Sequence, residues 1–226
     1  MSELPEPYWQ DESRGLRIFL GDCRVFLPLF ADGEFGSVIT DPPFGVQYAE
    51  WDTAPDADAL SQFLRVSSGT VVMFGPKRAT DQRHFWLLEP PIDRVVCWYP
   101  YRLPNRTQEW YPIFVWRDLG RNGLYNNVLQ WSFFEPGRPR HIPFAADHDC
   151  LKPIQLLAQL VKYLGGTSVL DPYLGSGTTL AACAKLGIPG TGIEISEAYC
   201  EMAAARLSED LGFGEPNLFN RAEVTA

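Results

Sequence analysis

The alternation of short apolar runs with amphipathic helical patterns constrains the fold of this chain more than any other feature. The apolar runs have the length of β-strands and occupy residues 16–20, 35–40, 70–75, 94–99, 110–116, 168–172 and 190–195. Segments whose apolar residues have helical spacing lie between many of these runs. One is 58–66, where Leu60, Phe63 and Leu64 share one face. Strands that alternate with helices form a mostly parallel sheet. The sequence therefore predicts a doubly wound α/β sheet, mostly parallel with an antiparallel edge.

The length of the chain limits how many domains it can form. Its 226 residues suit one domain. We assign this domain to residues 16–210, between an N-terminal arm at 1–15 and a C-terminal tail at 211–226. The segment 117–147 interrupts the strand–helix rhythm and is rich in Gly, Asn, Pro and Arg. Irregular insertions of this length are usually functional or disordered, and the interleaved aromatic residues and arginines favour function.

The cysteines and the apolar segments indicate a compartment. The chain has five cysteines, an odd number, and none of them forms a C-x-x-C pair. This usage favours reduced thiols and a cytoplasmic location. No apolar run is long enough to span a bilayer, and the polar N-terminus does not have the pattern of a signal peptide. The sequence thus predicts no membrane association.

The formal net charge is −9 at pH 7, which at first argues against a nucleic-acid partner. The charge is unevenly distributed, however, because residues 77–141 contain ten Lys or Arg and only six Asp or Glu. An acidic body with a mildly basic middle can present one basic face to phosphates. Charge alone still favours the simpler interpretation, in which these arginines are ordinary solvated surface residues.

The tetrapeptide Asp41-Pro42-Pro43-Phe44 directly follows the apolar run 35–40. Proline ends a strand because it has no backbone N–H, and it keeps the residue before it extended. A carboxylate is thus held at the carboxyl end of a strand, with an aromatic ring three residues later. In open α/β sheets, ligands bind at that edge. A simple capped turn is the competing interpretation, since Asp and Pro are common in turns.

The last third of the chain predicts a nucleoside pocket. A strand at 168–172 leads into the glycine-rich turn 173–178 and a helix, and the next strand carries Glu194 near its end. Backbone approaches a ligand closely at such a turn, and an acid on the next strand is placed for ribose hydroxyls. Leu180 occupies the position of the third glycine of a dinucleotide site. Asp171 would repel a phosphate and attract a cation. S-adenosylmethionine fits, with its ribose at Glu194 and its ammonium at Asp171.

Four motifs together resemble those of amino-group DNA methyltransferases. They are Asp41-Pro42-Pro43-Phe44, His148-x-x-x-Lys152-Pro153, the segment Asp171 to Thr179, and Gly192-Ile193-Glu194-Ile195. The catalytic motif precedes the cofactor motif, an order similar to that of the permuted beta class. The resemblance implies a Rossmann-like class I methyltransferase fold and S-adenosylmethionine as cofactor. The cofactor-binding residues that it implies are Asp22, Lys152, Asp171, Pro172, Tyr173, Gly175, Gly177, Thr178 and Glu194.

The same resemblance implies a reaction. The lone pair of an exocyclic amine is delocalised into the base, and two acceptors aimed at its hydrogens would localise it. The Asp41 carboxylate and the Pro42 carbonyl can supply these acceptors, while Phe44 stacks on the base and Pro43 helps to fix the turn. Positioning and electrostatics then provide the catalysis, and no metal is required. A base in duplex DNA must first leave the stack.

The sequence favours adenine N6 in DNA as the target and leaves other targets open. Cytosine N4 is second, since that group of enzymes more often has Ser in place of Asp41. RNA, a protein glutamine and a non-catalytic role in binding nucleic acid are further alternatives. The expected partner is DNA, and a homodimer and an unlinked restriction endonuclease remain open. The expected contacts to DNA come from Arg102, Arg106, Arg138 and Arg140.

Overall fold

The first half of the chain forms most of the strands. A computed structural model describes residues 4–45, 53–76, 79–99, 110–118, 128–130 and 152–208. The strands of this half are β1 (Trp9–Asp11), β2 (Leu16–Leu20), β3 (Ser37–Thr40), β4 (Val71–Phe74), β5 (Arg94–Tyr99), β6 (Tyr111–Trp116) and β7 (Val128–Gln130). Its helices are α1 (Cys23–Phe26), which continues as a 3-10 turn, α2 (Ala57–Val66) and α3 (Ala79–Trp86).

The last part of the described chain is a regular βαβα unit preceded by a helix. Its elements are α4 (Ile154–Leu164), β8 (Val169–Asp171), α5 (Thr178–Leu186), β9 (Gly190–Glu194) and α6 (Glu197–Ser208). Pro153 caps α4 in an extended conformation with φ −61°, which suits the first turn of a helix. Gly187 ends α5 at φ +65°, a conformation that glycine adopts without steric cost.

The described strands form one sheet in the order β1-β2-β9-β8-β3-β4-β6-β5-β7. The five central strands β2, β9, β8, β3 and β4 are mutually parallel, so their carboxyl ends lie at one edge. Two strands run against them: β1 at one end of the sheet, and β6 between β4 and β5. The mostly parallel sheet predicted from the sequence is confirmed, and one of the antiparallel strands lies inside it.

Helices cover both faces of the sheet, and the alternation of side chains along each strand divides the core in two. On β4, Val72 and Phe74 join the cluster that contains α4, α5 and α6. Val71 and Met73 point to the opposite face, where they pack with α1 and α2. All four side chains are buried, as expected for a strand covered on both faces.

The N-terminal arm expected over residues 1–15 contributes to the domain. Trp9–Asp11 form β1 and pair with β2, and the backbone N–H of Tyr8 donates to Ile18. Part of the segment 117–147 also joins the sheet, since Val128–Gln130 pair with β5 as β7. The rest of that segment beyond Asp118, and the tail at 211–226, lie outside the described residues.

The cysteines in the described ranges are unpaired, as expected for reduced thiols. Cys23, Cys183 and Cys200 are buried and Cys97 is half-buried, while Cys150 lies outside the described residues. None of the helices in those ranges has the length and apolar character needed to cross a bilayer.

Candidate active site

Four of the acids identified in the sequence meet at the carboxyl edge of the central strands. Asp41 follows β3, Asp171 ends β8, Glu194 ends β9 and Asp22 lies just after β2. These four strands are neighbours in the sheet. The parallel direction of the strands therefore brings together residues that are up to 172 positions apart in the sequence.

Asp41 presents its two carboxylate oxygens to different surroundings. Oδ2 accepts from the Nζ atom of Lys152. Oδ1 is buried and has no hydrogen-bond partner among the described residues. Pro42 is buried, whereas Pro43 and Phe44 are half-buried, and the Phe44 ring lies edge-on to Phe85 at 6.2 Å. The turn thus contains one carboxylate oxygen without a partner in the described residues and, three residues later, a half-buried aromatic ring.

Lys152 reaches this carboxylate from the segment before α4. Only 10% of its side chain is exposed. Its Nζ atom also lies 5.2 Å from the centre of the Phe74 ring, a cation–π geometry. The structure therefore places Lys152 in the predicted site, where it pairs with Asp41.

Asp171 is buried and bonded by its neighbours. Its Oδ1 atom accepts from the Thr40 hydroxyl at 2.6 Å and from the Tyr173 N–H at 3.1 Å. The Thr179 side chain also favours the ionised form of this carboxyl and so works against the increase in its pKa. Burial raises the pKa of Asp171 from 3.8 to about 6, because an ionised carboxylate loses its hydration, and the nearby charge of Asp41 adds to this increase. A cation bound here would offset that cost.

The glycine-rich turn after Asp171 needs glycine for two reasons. Gly175 and Gly177 have φ values of +54° and +83°, which disfavour any side chain. In addition, a Cβ atom on Gly177 would lie 2.8 Å from the Cβ atom of Ala203 on α6. Pro172 is buried at the start of the turn, and Thr178 begins α5 at its end.

Glu194 is joined to the same turn. Its Oε2 atom accepts from the N–H of Gly175 at 2.7 Å, and its Oε1 atom accepts from the N–H of Ser196 at 2.9 Å. Burial raises the pKa of Glu194 above its usual value. Each carboxylate oxygen has a second lone pair. Glu194 can thus hold the turn and still accept hydrogen bonds from a ligand.

Asp22 has a structural role that its sequence position did not reveal. It caps α1 by accepting from the N–H of Arg24, and both of its oxygens accept from the Arg24 guanidinium. This pairing lowers the pKa of Asp22. Its charge is therefore already balanced by Arg24 at a position that the resemblance assigns to cofactor binding.

A cleft lies between Asp41, Lys152, Asp171 and the glycine-rich turn, whereas Asp22 and Glu194 are not part of its walls. Its walls include Asp41, Phe74, Lys152, Asp171, Tyr173, Leu174, Gly175, Ser176, Thr178 and Thr179. A larger groove of about 460 Å³ lies at the opposite edge, beside Gly15, Glu34 and Pro189. That groove contains none of the site residues predicted from the sequence. Arg102, Arg106, Arg138 and Arg140 lie outside the described residues, as does His148.

Two residues that support the site were missed by sequence reasoning. Thr40 bonds Asp171, and Arg206 on α6 donates to the carbonyl of Ser176 at 3.1 Å and to the hydroxyl of Thr178 at 2.8 Å. A signal for Thr40 existed, because a polar residue in a buried strand requires a hydrogen-bond partner. No comparable signal marks Arg206, because its partners depend on how α6 packs.

A model of the DNA methylase family, N6_N4_Mtase, matches residues 77–205, more than half of the chain. The type II methyltransferase M.ScaI of Streptomyces caespitosus is 25% identical over 172 residues, which are 73% of this chain and 55% of M.ScaI. This chain thus spans about half the length of that relative.

Two solved structures share the fold. The PvuII DNA methyltransferase, described as cytosine-N4-specific, has a TM-score of 0.67 at 16% identity, with 87% of this chain and 88% of that one covered. The M1.HpyAVI–SAM complex has a TM-score of 0.56 at 19% identity, with 84% and 99% covered. At these identities the likeness concerns the fold alone, and it confirms the predicted fold class.

Proposed function

The chain belongs to the N6/N4 DNA methylase family, and from this premise we propose that it transfers a methyl group from S-adenosylmethionine to an exocyclic amine in DNA. Adenine N6 is the proposed target. The single observation that carries the proposal is the geometry of Asp41, whose buried Oδ1 atom has no partner in the described part of the chain. A buried acceptor without a partner is uncommon in proteins, and in the wall of a cleft it suits an N–H donor that a ligand supplies.

Asp171 in the cleft and Glu194 and Ile195 on the next strand edge together fit S-adenosylmethionine. Asp171 offers a buried negative charge for the ammonium, and its raised pKa reflects the burial that a bound cation would offset. Glu194 keeps free lone pairs for ribose hydroxyls while it holds Gly175. Ile195, directly after Glu194, exposes 60% of its surface and offers an apolar wall for the adenine ring. Lys152, which the resemblance assigns to cofactor binding, lines the same cleft, but its ammonium pairs with Asp41.

The chemistry at Asp41 follows from the acceptors of the turn. Oδ1 of Asp41 and the carbonyl of Pro42 accept hydrogen bonds from the target amine, which localises the lone pair of the nitrogen. Phe44 stacks on the base and holds it in place. When bound, S-adenosylmethionine supplies a sulfonium methyl group, which the nitrogen attacks as the carbon–sulfur bond breaks and its electron pair remains on sulfur. Asp41 is then placed to take the proton that the amine loses.

The choice of adenine rests on the residue type at position 41. Enzymes that act on cytosine N4 more often have Ser there, whereas this chain has Asp. Cytosine N4 is the second candidate, since the matched family covers both reactions and the same acceptors would serve either amine. DNA would be held by Arg102, Arg106, Arg138 and Arg140, and a homodimer and a separate restriction endonuclease remain predictions.

The test is radiolabelled methyl transfer to unmethylated DNA, followed by nucleoside analysis. Wild-type protein should produce N6-methyladenine, and Asp41→Ala should produce none while its cofactor affinity stays close to wild type. Asp32→Asn is the matched control, because its side chain is 84% exposed and precedes β3 at the opposite edge of the sheet. N4-methylcytosine as the product would replace the proposed base and leave the mechanism intact. Activity in Asp41→Ala would contradict the mechanism.

A further inference from the structure

We propose that Lys152 is a positioning residue for methyl transfer. It holds Oδ2 of Asp41 so that Oδ1 alone remains to accept the target amine. This inference rests on the proposed function, because it assigns to Lys152 a task in the reaction step. A role in binding the cofactor would make Lys152 act before that step. Experiment can separate the two roles.

The ion pair between Lys152 and Asp41 lies in the wall of the cleft and is partly shielded from water. The side chain of Lys152 is 10% exposed and that of Asp41 is 31% exposed, so water screens the pair only partly. The face of the Phe74 ring lies 5.2 Å from the Lys152 Nζ atom, and Phe74 is itself buried at the end of β4. A lysine side chain has four rotatable carbon bonds, and this packing removes most of their freedom. The ammonium is therefore held at one place.

The other carboxylate oxygen shows what this arrangement achieves. Oδ1 of Asp41 is buried and no described residue donates to it. Buried carboxylate oxygens are normally bonded, because an unbonded one loses its hydration without compensation. The contact of Lys152 with Oδ2 fixes the rotation of the carboxyl group and so leaves Oδ1 as the available acceptor.

A second carboxylate, that of Asp171, lines the same cleft as the Lys152–Asp41 pair. Asp41 follows β3 and Asp171 ends the adjacent parallel strand β8, and the charge of Asp41 disfavours the ionised form of Asp171. Like charges repel, although burial raises the pKa of Asp171 more than this repulsion does. Lys152 lines the same cleft as both acids and carries the opposite charge, and its ammonium bonds Asp41.

The helix that follows fixes the position of Lys152. Pro153 restricts the conformation of the residue before it, and α4 begins at Ile154. Ile154, Leu156 and Leu157 are buried against the sheet and its helices. Lys152 therefore lies directly before the capped start of a buried helix, a suitable place for a positioning residue.

The experiment compares Lys152→Met, which keeps the apolar stem, with Lys152→Arg, which keeps the charge. Lys162→Met is the matched control, since it removes the same charge from an exposed position on α4. We expect Lys152→Met to lower kcat by about 10²-fold, the loss expected when a reacting group is misplaced. The KM for cofactor and the Kd for DNA should change by no more than about threefold. Lys152→Arg should recover much of the rate, and Lys162→Met should match wild type.

A second measurement detects the pair without any activity. Urea unfolding of wild type, Lys152→Met, Asp41→Asn and the double variant forms a double-mutant cycle. We expect the unfolding constants to be coupled by a factor of about three or more, because removal of either partner already breaks the pair. Additive effects would overturn the proposal.

The kinetic results separate this inference from the function on which it rests. If wild type is active and Lys152→Met keeps its kcat, or only raises the KM for cofactor, Lys152 serves cofactor binding and the positioning role is wrong. If wild type shows no transferase activity on any DNA, the proposed function fails and the positioning role fails with it. Coupled unfolding constants in that case would still identify the ion pair as a structural contact.

Discussion

The hydroxyl of Thr40 donates a 2.6 Å hydrogen bond to Oδ1 of Asp171, and both residues are buried. Thr40 ends β3 directly before the Asp41 turn, and Asp171 ends the neighbouring strand β8 directly before the glycine-rich turn. One hydrogen bond therefore joins the proposed catalytic turn to the proposed cofactor turn. Replacement of either partner should affect both turns.

Thr40→Val should destabilise the protein, because it keeps the shape of the side chain but leaves a buried carboxylate with one donor fewer. The expected decrease is about 1–3 kcal/mol in the free energy of unfolding, measured with urea. Thr70→Val is the control: Thr70 is equally buried, but its hydroxyl bonds the Arg117 carbonyl at 3.5 Å, a weak interaction. Equal decreases in the two variants would mean that the hydrogen bond from Thr40 to Asp171 contributes no more to stability than the weak bond of Thr70.

The titration of the buried Asp171 carboxyl should make the free energy of unfolding depend on pH. Its pKa is raised from 3.8 to about 6 by burial. The folded protein thus binds this proton more tightly than the unfolded chain. The resulting stabilisation is full below about pH 4 and is lost as the pH rises through about 6, a change of roughly 3 kcal/mol.

Asp171→Asn isolates this effect, because the amide does not titrate. The difference in unfolding free energy between wild type and Asp171→Asn should change between about pH 4 and pH 6. Over this range the stability of wild type should decrease relative to that of Asp171→Asn as the pH rises. A difference that is constant across this range would contradict the prediction. Affinity for S-adenosylmethionine should fall on acidification through about pH 6, since protonated Asp171 no longer attracts the ammonium.

Substitution of two glycines should separate backbone strain from close packing. Gly177 and Gly187 both have positive φ, so Ala costs about 1–2 kcal/mol at either position. A Cβ atom at Gly187 meets nothing within 4 Å, whereas one at Gly177 lies 2.8 Å from the Ala203 Cβ. Gly177→Ala should therefore be the more destabilising and should also weaken cofactor binding, measured by calorimetry. Ala203→Gly, added to Gly177→Ala, should partly restore both the stability and the cofactor affinity. If Gly187→Ala destabilises the protein as much as Gly177→Ala does, the packing of the turn against α6 is unimportant.

Methyl transfer should require an aromatic ring at position 44, whether or not that ring carries a hydroxyl group. Phe44→Tyr should keep methyl transfer, because stacking needs only the face of the ring. Phe44→Ala should lower kcat/KM by about 10–10²-fold, which corresponds to about 1–3 kcal/mol of base stacking. Phe44→Leu is the matched control for the apolar contact with Phe85, and its activity should resemble that of Phe44→Ala. Full activity in Phe44→Leu would show that packing, not stacking, is required.

The arginines of the basic middle segment should govern how DNA binding depends on salt. Neutralisation of Arg106, Arg138 and Arg140 to Gln should reduce the slope of log K against log salt concentration by about 0.9 for each phosphate that an arginine no longer neutralises. Lys162→Gln serves as the control, because α4 ends beside the start of β3, where Ser37 bonds Gly165, at the edge opposite Asp41. An unchanged slope in the triple variant would assign DNA binding to another surface.

Much of the fold and part of the site followed from local sequence. Apolar runs predicted the strands because side chains alternate along a strand and both faces of this sheet are buried. The residues Asp41, Asp171 and Glu194 could be assigned to one edge because each ends a strand in a parallel sheet, whose direction fixes where its carboxyl ends lie. Proline and glycine marked the turns, because they restrict or extend the backbone conformations available.

Other features were decided only by tertiary structure. The order of the strands, the place of β6 between β4 and β5, and the inclusion of β1 depend on pairing between distant segments, which no local pattern encodes. Lys152 meets Asp41 across 111 positions, and Arg206 reaches the glycine-rich turn from α6. Such contacts exist only when the helices have packed, because side-chain hydrogen bonds need their partners within about 3 Å. The sequence alone thus determined which residues are candidates for the chemistry, and packing determined which of their atoms already have partners in the fold.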